Sequence, residues 1–229
     1  MKDLMKKRYS KEKSCLAVMI VFMIGVLCVS TAGAVPWDET INGGGDAGDL
    51  PASAQVVSGS GALGSIIGEI AEDNDVDMYQ IFITGGGIFS ATTVGGSSID
   101  TRLFLFDENG LGVYANDNYS GTSQSTLPSG PTTSGIYYLA IATYDNTPNA
   151  ENGFLIFPLM AGSNVVGPSG VGGSSPIGSW TNDGYNSGTY TIALTGAEFV
   201  PDAPTPIPEP STLILLASGL IGFIRFGKR

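Results

Sequence analysis

The chain has 229 residues, a net charge of −11, no histidine, and two cysteines, Cys15 and Cys28, both near the N-terminus. Without an imidazole or a thiol, the chain beyond Cys28 is excluded from Cys–His and Ser–His–Asp catalysis and from the usual zinc sites. Charge is uneven: between Val35 and Pro208, eighteen acidic residues face one basic residue, Arg102, a net of −17. Such a body repels nucleic acid, attracts divalent cations and stays dispersed.

The first thirteen residues carry Lys2, Lys6, Lys7, Arg8, Lys11 and Lys13. An apolar stretch from Cys15 to Val29 follows, then Ala32-Gly33-Ala34, a small-residue A-x-A site. Residues 1–34 read as a secretory signal peptide, handled by Sec-type machinery and cut by signal peptidase beside Ala32 and Ala34. Leu27 stands before Cys28 where a lipobox needs a small residue, so no lipid anchor is expected. Residues 35–60 form a partly extended leader.

The next segments alternate with period two, which argues for strands. Strands are expected over 78–83, 88–94, 101–106, 111–115, 136–143 and 189–195. Gly85-Gly86-Gly87 and Asp107-Glu108-Asn109-Gly110 supply turns. Short strands with glycine-rich turns and no crossover helices predict an all-β, antiparallel, jelly-roll-like β-sandwich over 61–199. The signal helix and a C-terminal transmembrane helix lie outside that fold. The segment 146–186, rich in Gly, Ser, Pro and Asn, reads as an irregular insertion that orders around the sandwich or around a metal ion.

After the last strand, residues 200–207 form a semi-rigid proline-containing spacer. Pro208-Glu209-Pro210 comes next, then fourteen uncharged residues from Ser211 to Ile224, then a terminus containing Arg225, Lys228 and Arg229. At about 1.5 Å per residue the apolar run reaches roughly 21 Å, short of a hydrocarbon core of about 30 Å. It suits a transient inner-membrane anchor whose basic end stays in the cytoplasm.

Triplet, short apolar helix and basic end in that order resemble the PEP-CTERM sorting signal. The resemblance implies recognition of Pro208, Glu209 and Pro210 by an exosortase-like membrane protease and passage of the body to the cell surface or extracellular polymer.

The body carries a second resemblance. Asp75-Val76-Asp77-Met78-Tyr79 opens one strand and Gly135-Ile136-Tyr137-Tyr138-Leu139 opens another; Asp100 to Asp107 and Gly188 to Ile192 fit the same pattern. These resemble the bacterial pre-peptidase C-terminal family over roughly residues 66–196. The resemblance implies a non-catalytic β-sandwich.

Candidate sites follow from residue chemistry. Asp73, Asp75 and Asp77 recur at i, i+2 and i+4, and hard oxygen ligands suit calcium. Asp107, Asn109, Asp117, Asn118, Asp145 and Asn146 offer further oxygens in loops. The same residues are also ordinary turn formers, and both readings are open. The glycine and distal glutamate of an EF-hand loop are missing. Arg102 shares a strand face with Phe104 and Phe106. It is either a ligand-binding guanidinium or half of an internal ion pair. Trp180 and Tyr185 stand in the irregular segment, where exposed aromatics suit exopolysaccharide contact and buried ones suit packing.

No paired carboxylates stand out for glycoside hydrolysis. The expected function is that of an exported, non-enzymatic surface or matrix protein. A calcium-dependent carbohydrate-binding or adhesion module and a small secreted hydrolase are the alternatives.

Overall fold

The computed structural model describes residues 33–160 and 163–201. Both expected terminal helices, the signal-cleavage residue Ala32 and the sorting triplet lie outside the described residues. The described chain is all-β, with one 3-10 turn at Gly172–Ser174. Its strands are β1 (Val35–Asp38), β2 (Gln55–Val56), β3 (Ser58–Gly59), β4 (Ala62–Ile70), β5 (Val76–Ile83), β6 (Ser90–Thr92) and β7 (Thr101–Asp107). They continue as β8 (Gly112–Asn116), β9 (Thr126–Leu127), β10 (Gly135–Thr143), β11 (Pro148–Ala150), β12 (Ile177–Trp180), β13 (Gly188–Glu198) and β14 (Val200–Pro201). The expected strand over 88–94 shortens to the three residues of β6, and the leader supplies β1, β2 and β3.

Ten strands join one sheet in the order β1-β4-β13-β5-β10-β7-β8, with β2 beside β5, and β6 linking β13 to β9. Most pairings are antiparallel, but β1 runs parallel to β4 and β2 parallel to β5. The turn in this sheet comes from β13. Its first half pairs with β4 from Gly188 to Ala193, and a bulge then shifts the register between Ala193 and Ala197. Beyond the bulge, Ala197 and Glu198 also reach Ile83 and Phe82 of β5. Gly196 sits in that bulge with φ of +67°, where a side chain would be strained, and its backbone packs against Phe89. The extra residues also change the parity of burial: Tyr190 and Ile192 are buried before the bulge, and Ala197 and Phe199 after it.

Both halves of the sheet bury side chains in one core. Leu63, Ile66 and Ile70 of β4 and Tyr190 and Ile192 of β13 join Tyr79, Ile81 and Ile83 of β5, Leu103 and Leu105 of β7, and Leu139 and Ile141 of β10. This enclosure is consistent with a β-sandwich.

The segment 146–186 packs on the outside of the sheet and is more regular than the expected insertion. It contributes β11 and β12, which pair with each other, and it buries a second core. The outer faces of β5, β7 and β10 present Val76, Met78, Phe104, Phe106, Ala140 and Ala142. Against them pack Ala150, Ile156, Phe157, Ile177 and Trp180. Phe104 meets the Trp180 ring edge-on at 5.2 Å, and Phe106 meets Phe157 edge-on at 6.0 Å. Strand β7 is therefore buried on both faces, which accounts for the unbroken run Leu103-Phe104-Leu105-Phe106.

Candidate functional site

Two clusters of buried polar groups stand out against these cores. The first lies at one end of the inner core. Glu39 follows β1, Asp77 and Tyr79 alternate along β5, and Tyr190 comes from β13. Period-two alternation puts Asp77 on the same inward face as Tyr79, Ile81 and Ile83, so a carboxylate sits where the pattern demands an apolar residue.

The groups form a chain of short contacts. The Tyr79 hydroxyl donates to Glu39 Oε2 at 2.6 Å, lies 2.5 Å from the Tyr190 hydroxyl, and Tyr190 donates to Asp77 Oδ2 at 2.6 Å. Glu39 Oε1 accepts the backbone N–H of Glu69 at 2.8 Å. Asp77 Oδ1 is buried and has no hydrogen-bond partner. Burial pushes the Asp77 carboxyl up to about 9, because the charged form loses hydration that one phenol replaces only in part. Glu39 is raised for the same first cause, and the two phenols are raised well above their ordinary value. Asp46, exposed on the loop after β1, completes a set with Glu39 and Asp77: one carboxylate oxygen from each lies within 4.8 Å of the others.

Of the Asp73, Asp75 and Asp77 triplet, only Asp77 belongs to this set. Asp73 is exposed and contributes its carbonyl to the Thr143 hydroxyl at 3.3 Å. Asp75 Oδ2 accepts the Ala71 N–H at 2.6 Å, closing the turn before β5. Asp107 Oδ1 accepts the N–H groups of Asn109 and Leu111, each at 2.9 Å, so Asp107 and Asn109 shape the β7–β8 turn. Sequence spacing favoured neighbours along the chain, whereas folding brings Asp77 to Glu39 and Asp46 from the leader.

The second cluster surrounds Arg102, which is 5 % exposed. Its Nε lies 3.3 Å from Asp117 Oδ1 as an ion pair, and Nη2 donates to Asp117 Oδ2 at 3.3 Å. Nη1 donates to Thr147 Oγ1 at 3.1 Å, and the guanidinium carbon sits 4.5 Å from the centre of the Tyr144 ring. Asp145 is a more distant partner at 3.9 Å. A cavity of about 520 Å³ opens beside this group, lined by Arg102, Tyr144, Asp145, Thr147, Leu159 and Asp183 among others.

Tyr185 is exposed and meets Tyr144 edge-on at 5.8 Å. Trp180 is not exposed: it is 5 % accessible within the outer core, and its indole N–H donates to the Asp49 carbonyl at 2.8 Å. A stacking role for Trp180 on a sugar is therefore corrected to packing.

No curated protein matches the chain. Residues 206–229 match the PEP-CTERM protein-sorting motif, so the chain carries the signal of an exported protein sorted by exosortase.

Proposed function

We propose that this chain is an exported, non-enzymatic surface or extracellular-matrix protein held briefly in the inner membrane by its tail and then released by an exosortase-like protease. The observation that carries this reading is the sorting motif over residues 206–229. Sec export and signal peptidase removal of residues 1–34 would leave Val35 at the start of β1. Release would remove the cluster of cations Arg225, Lys228 and Arg229 from a body whose only basic residue is Arg102. The mature body is then strongly acidic and self-repelling, which suits dispersal in a hydrated matrix. The body's resemblance to the pre-peptidase C-terminal sandwiches agrees with a non-catalytic role.

Fractionation after substitution tests the sorting step. Replacing Pro208, Glu209 and Pro210 together by alanine should leave full-length protein in the membrane fraction. Unchanged release of the variant would count against recognition of the triplet. A second reading, a carbohydrate-binding module, rests on the cavity beside Arg102, Tyr144 and Asp183. It predicts retention on specific glycans in an array, weakened by Tyr144→Ala.

A further inference from the structure

Sorting does not explain why so acidic a body buries two carboxylates next to each other. Glu39 is 2 % exposed and Asp77 is fully buried. Neither has a cationic partner, because Arg102, the one cation between Val35 and Pro208, is engaged by Asp117. Proton counting sharpens the deficit. Three contacts of 2.5–2.6 Å link Glu39, Tyr79, Tyr190 and Asp77 in series, and each needs one proton. Two neutral phenols supply two, so in the metal-free protein the third sits on one of the two acids, and a bound cation would take that proton's place as the compensating charge. Asp77 Oδ1 also remains buried without a partner. Ionising both acids here is strongly unfavourable unless positive charge, a proton or a cation, compensates them.

We propose that Glu39, Asp46 and Asp77 hold a divalent cation of the calcium class between the loop after β1 and the start of β5. One oxygen from each lies within 4.8 Å of the other two. A point between three oxygens so spaced lies at most about 2.8 Å from each, so a small inward shift of the exposed Asp46 side chain brings all three to the calcium–oxygen range of roughly 2.3–2.6 Å. The ligands are all hard oxygens, with no nitrogen or sulfur to favour zinc. Asp46 is exposed and gives the ion a path from solvent, and water completes the six to eight ligands that calcium takes. The ion would tie the leader to the sandwich. It differs from a site on Asp73, Asp75 and Asp77, because two of those three carboxylates lie outside it.

The test uses the full chain in detergent, stripped with EDTA and dialysed. Calcium chloride is titrated by calorimetry and by thermal melting, and terbium is followed by luminescence sensitised through tyrosine. The wild type should bind one ion, melt at higher temperature with calcium, and show sensitised terbium emission from Tyr79 and Tyr190. Asp46→Asn, which alters only an exposed side chain, should weaken calcium at least about tenfold. Asp77→Asn should abolish the melting shift while the apo form still melts cooperatively. Asp73→Asn should titrate like the wild type. Absence of calcium heat and of a melting shift in the wild type overturns the proposal. So does wild-type affinity in both Asp46→Asn and Asp77→Asn, which would mean that protons alone neutralise the acids. A loss in Asp73→Asn equal to that in Asp46→Asn places the ion elsewhere and overturns it too.

Discussion

Tyr190 donates its phenol to Asp77 Oδ2 at 2.6 Å across 113 residues of sequence. The bond joins β13 to β5 at the end of the core opposite their only backbone pairing, at Ala197 and Glu198. The two strands are therefore fastened at both ends, by main chain at one and by side chains at the other.

Gly68 makes room for this fastening. It lies opposite Tyr190 in the β4–β13 register, and a methyl group there would collide with the Tyr190 hydroxyl and Glu39 Oε2. Gly68→Ala should destabilise the body by about 1–3 kcal/mol, because neighbours on both sides must shift. Urea unfolding followed by tryptophan emission measures this, and a variant as stable as the wild type would show that the network yields freely.

The outer core predicts that segment 148–180 is structural. Trp180→Ala should cost about 3–5 kcal/mol and make the segment sensitive to limited proteolysis, since it removes the ring that packs edge-on against Phe104. A loss below about 1 kcal/mol would mean that the segment rests on the sheet without contributing to it.

Arg102 and Asp117 form a buried pair with side-chain exposures of 7 % and 2 %. Arg102→Met keeps the stem but strands Asp117 as an unpaired buried charge, and should cost about 3–5 kcal/mol. The double variant with Asp117→Asn should recover much of that loss. A double-mutant cycle in urea reads the coupling, and additive losses would show that the two residues act independently.

Asp100 gives a pH signature. Burial raises its carboxyl, repulsion from Asp117 raises it further, and Arg102 opposes both. A raised folded-state value means that the native state binds the proton more tightly than the unfolded chain. The penalty is present above the raised value and fades as pH falls through it towards the ordinary range of about 4. Asp100→Asn should therefore be the more stable protein near neutrality, with its advantage shrinking on acidification. Melting curves of both proteins across that range check the sign, and an advantage that grew in acid would contradict it.

How much of this was legible varies by element. Strands β5, β7, β10 and β13 were plain in the sequence, because their alternation or long apolar runs survive in any window. The 146–186 segment was not. Its apolar residues, Ile156, Phe157, Ile177 and Trp180, are spread too widely to show a period, and their purpose depends on the outward face of a distant sheet. The better signal was β7 itself: a strand apolar on both sides needs a cover on both sides. Glu39 was equally hidden. Its partners Tyr79 and Tyr190 lie 40 and 151 residues away, and no local motif marks it. The spacing of Asp77 with Asp73 and Asp75 is visible in the sequence, but its place on the inward face of β5 is what sets its chemistry. Alternation puts Arg102 on the face of Phe104 and Phe106, while nothing local marks Asp117 among eighteen acids as its partner.

The most direct test of the sorting account is intact-mass and C-terminal peptide mass spectrometry on protein recovered separately from membranes and from culture medium. The account predicts that the membrane-bound precursor retains residues 211–229 and that the released protein lacks them, with its new C-terminus near Pro208-Glu209-Pro210. Released protein that still carries residues 211–229, or a protein confined to the membrane at full length, would contradict it.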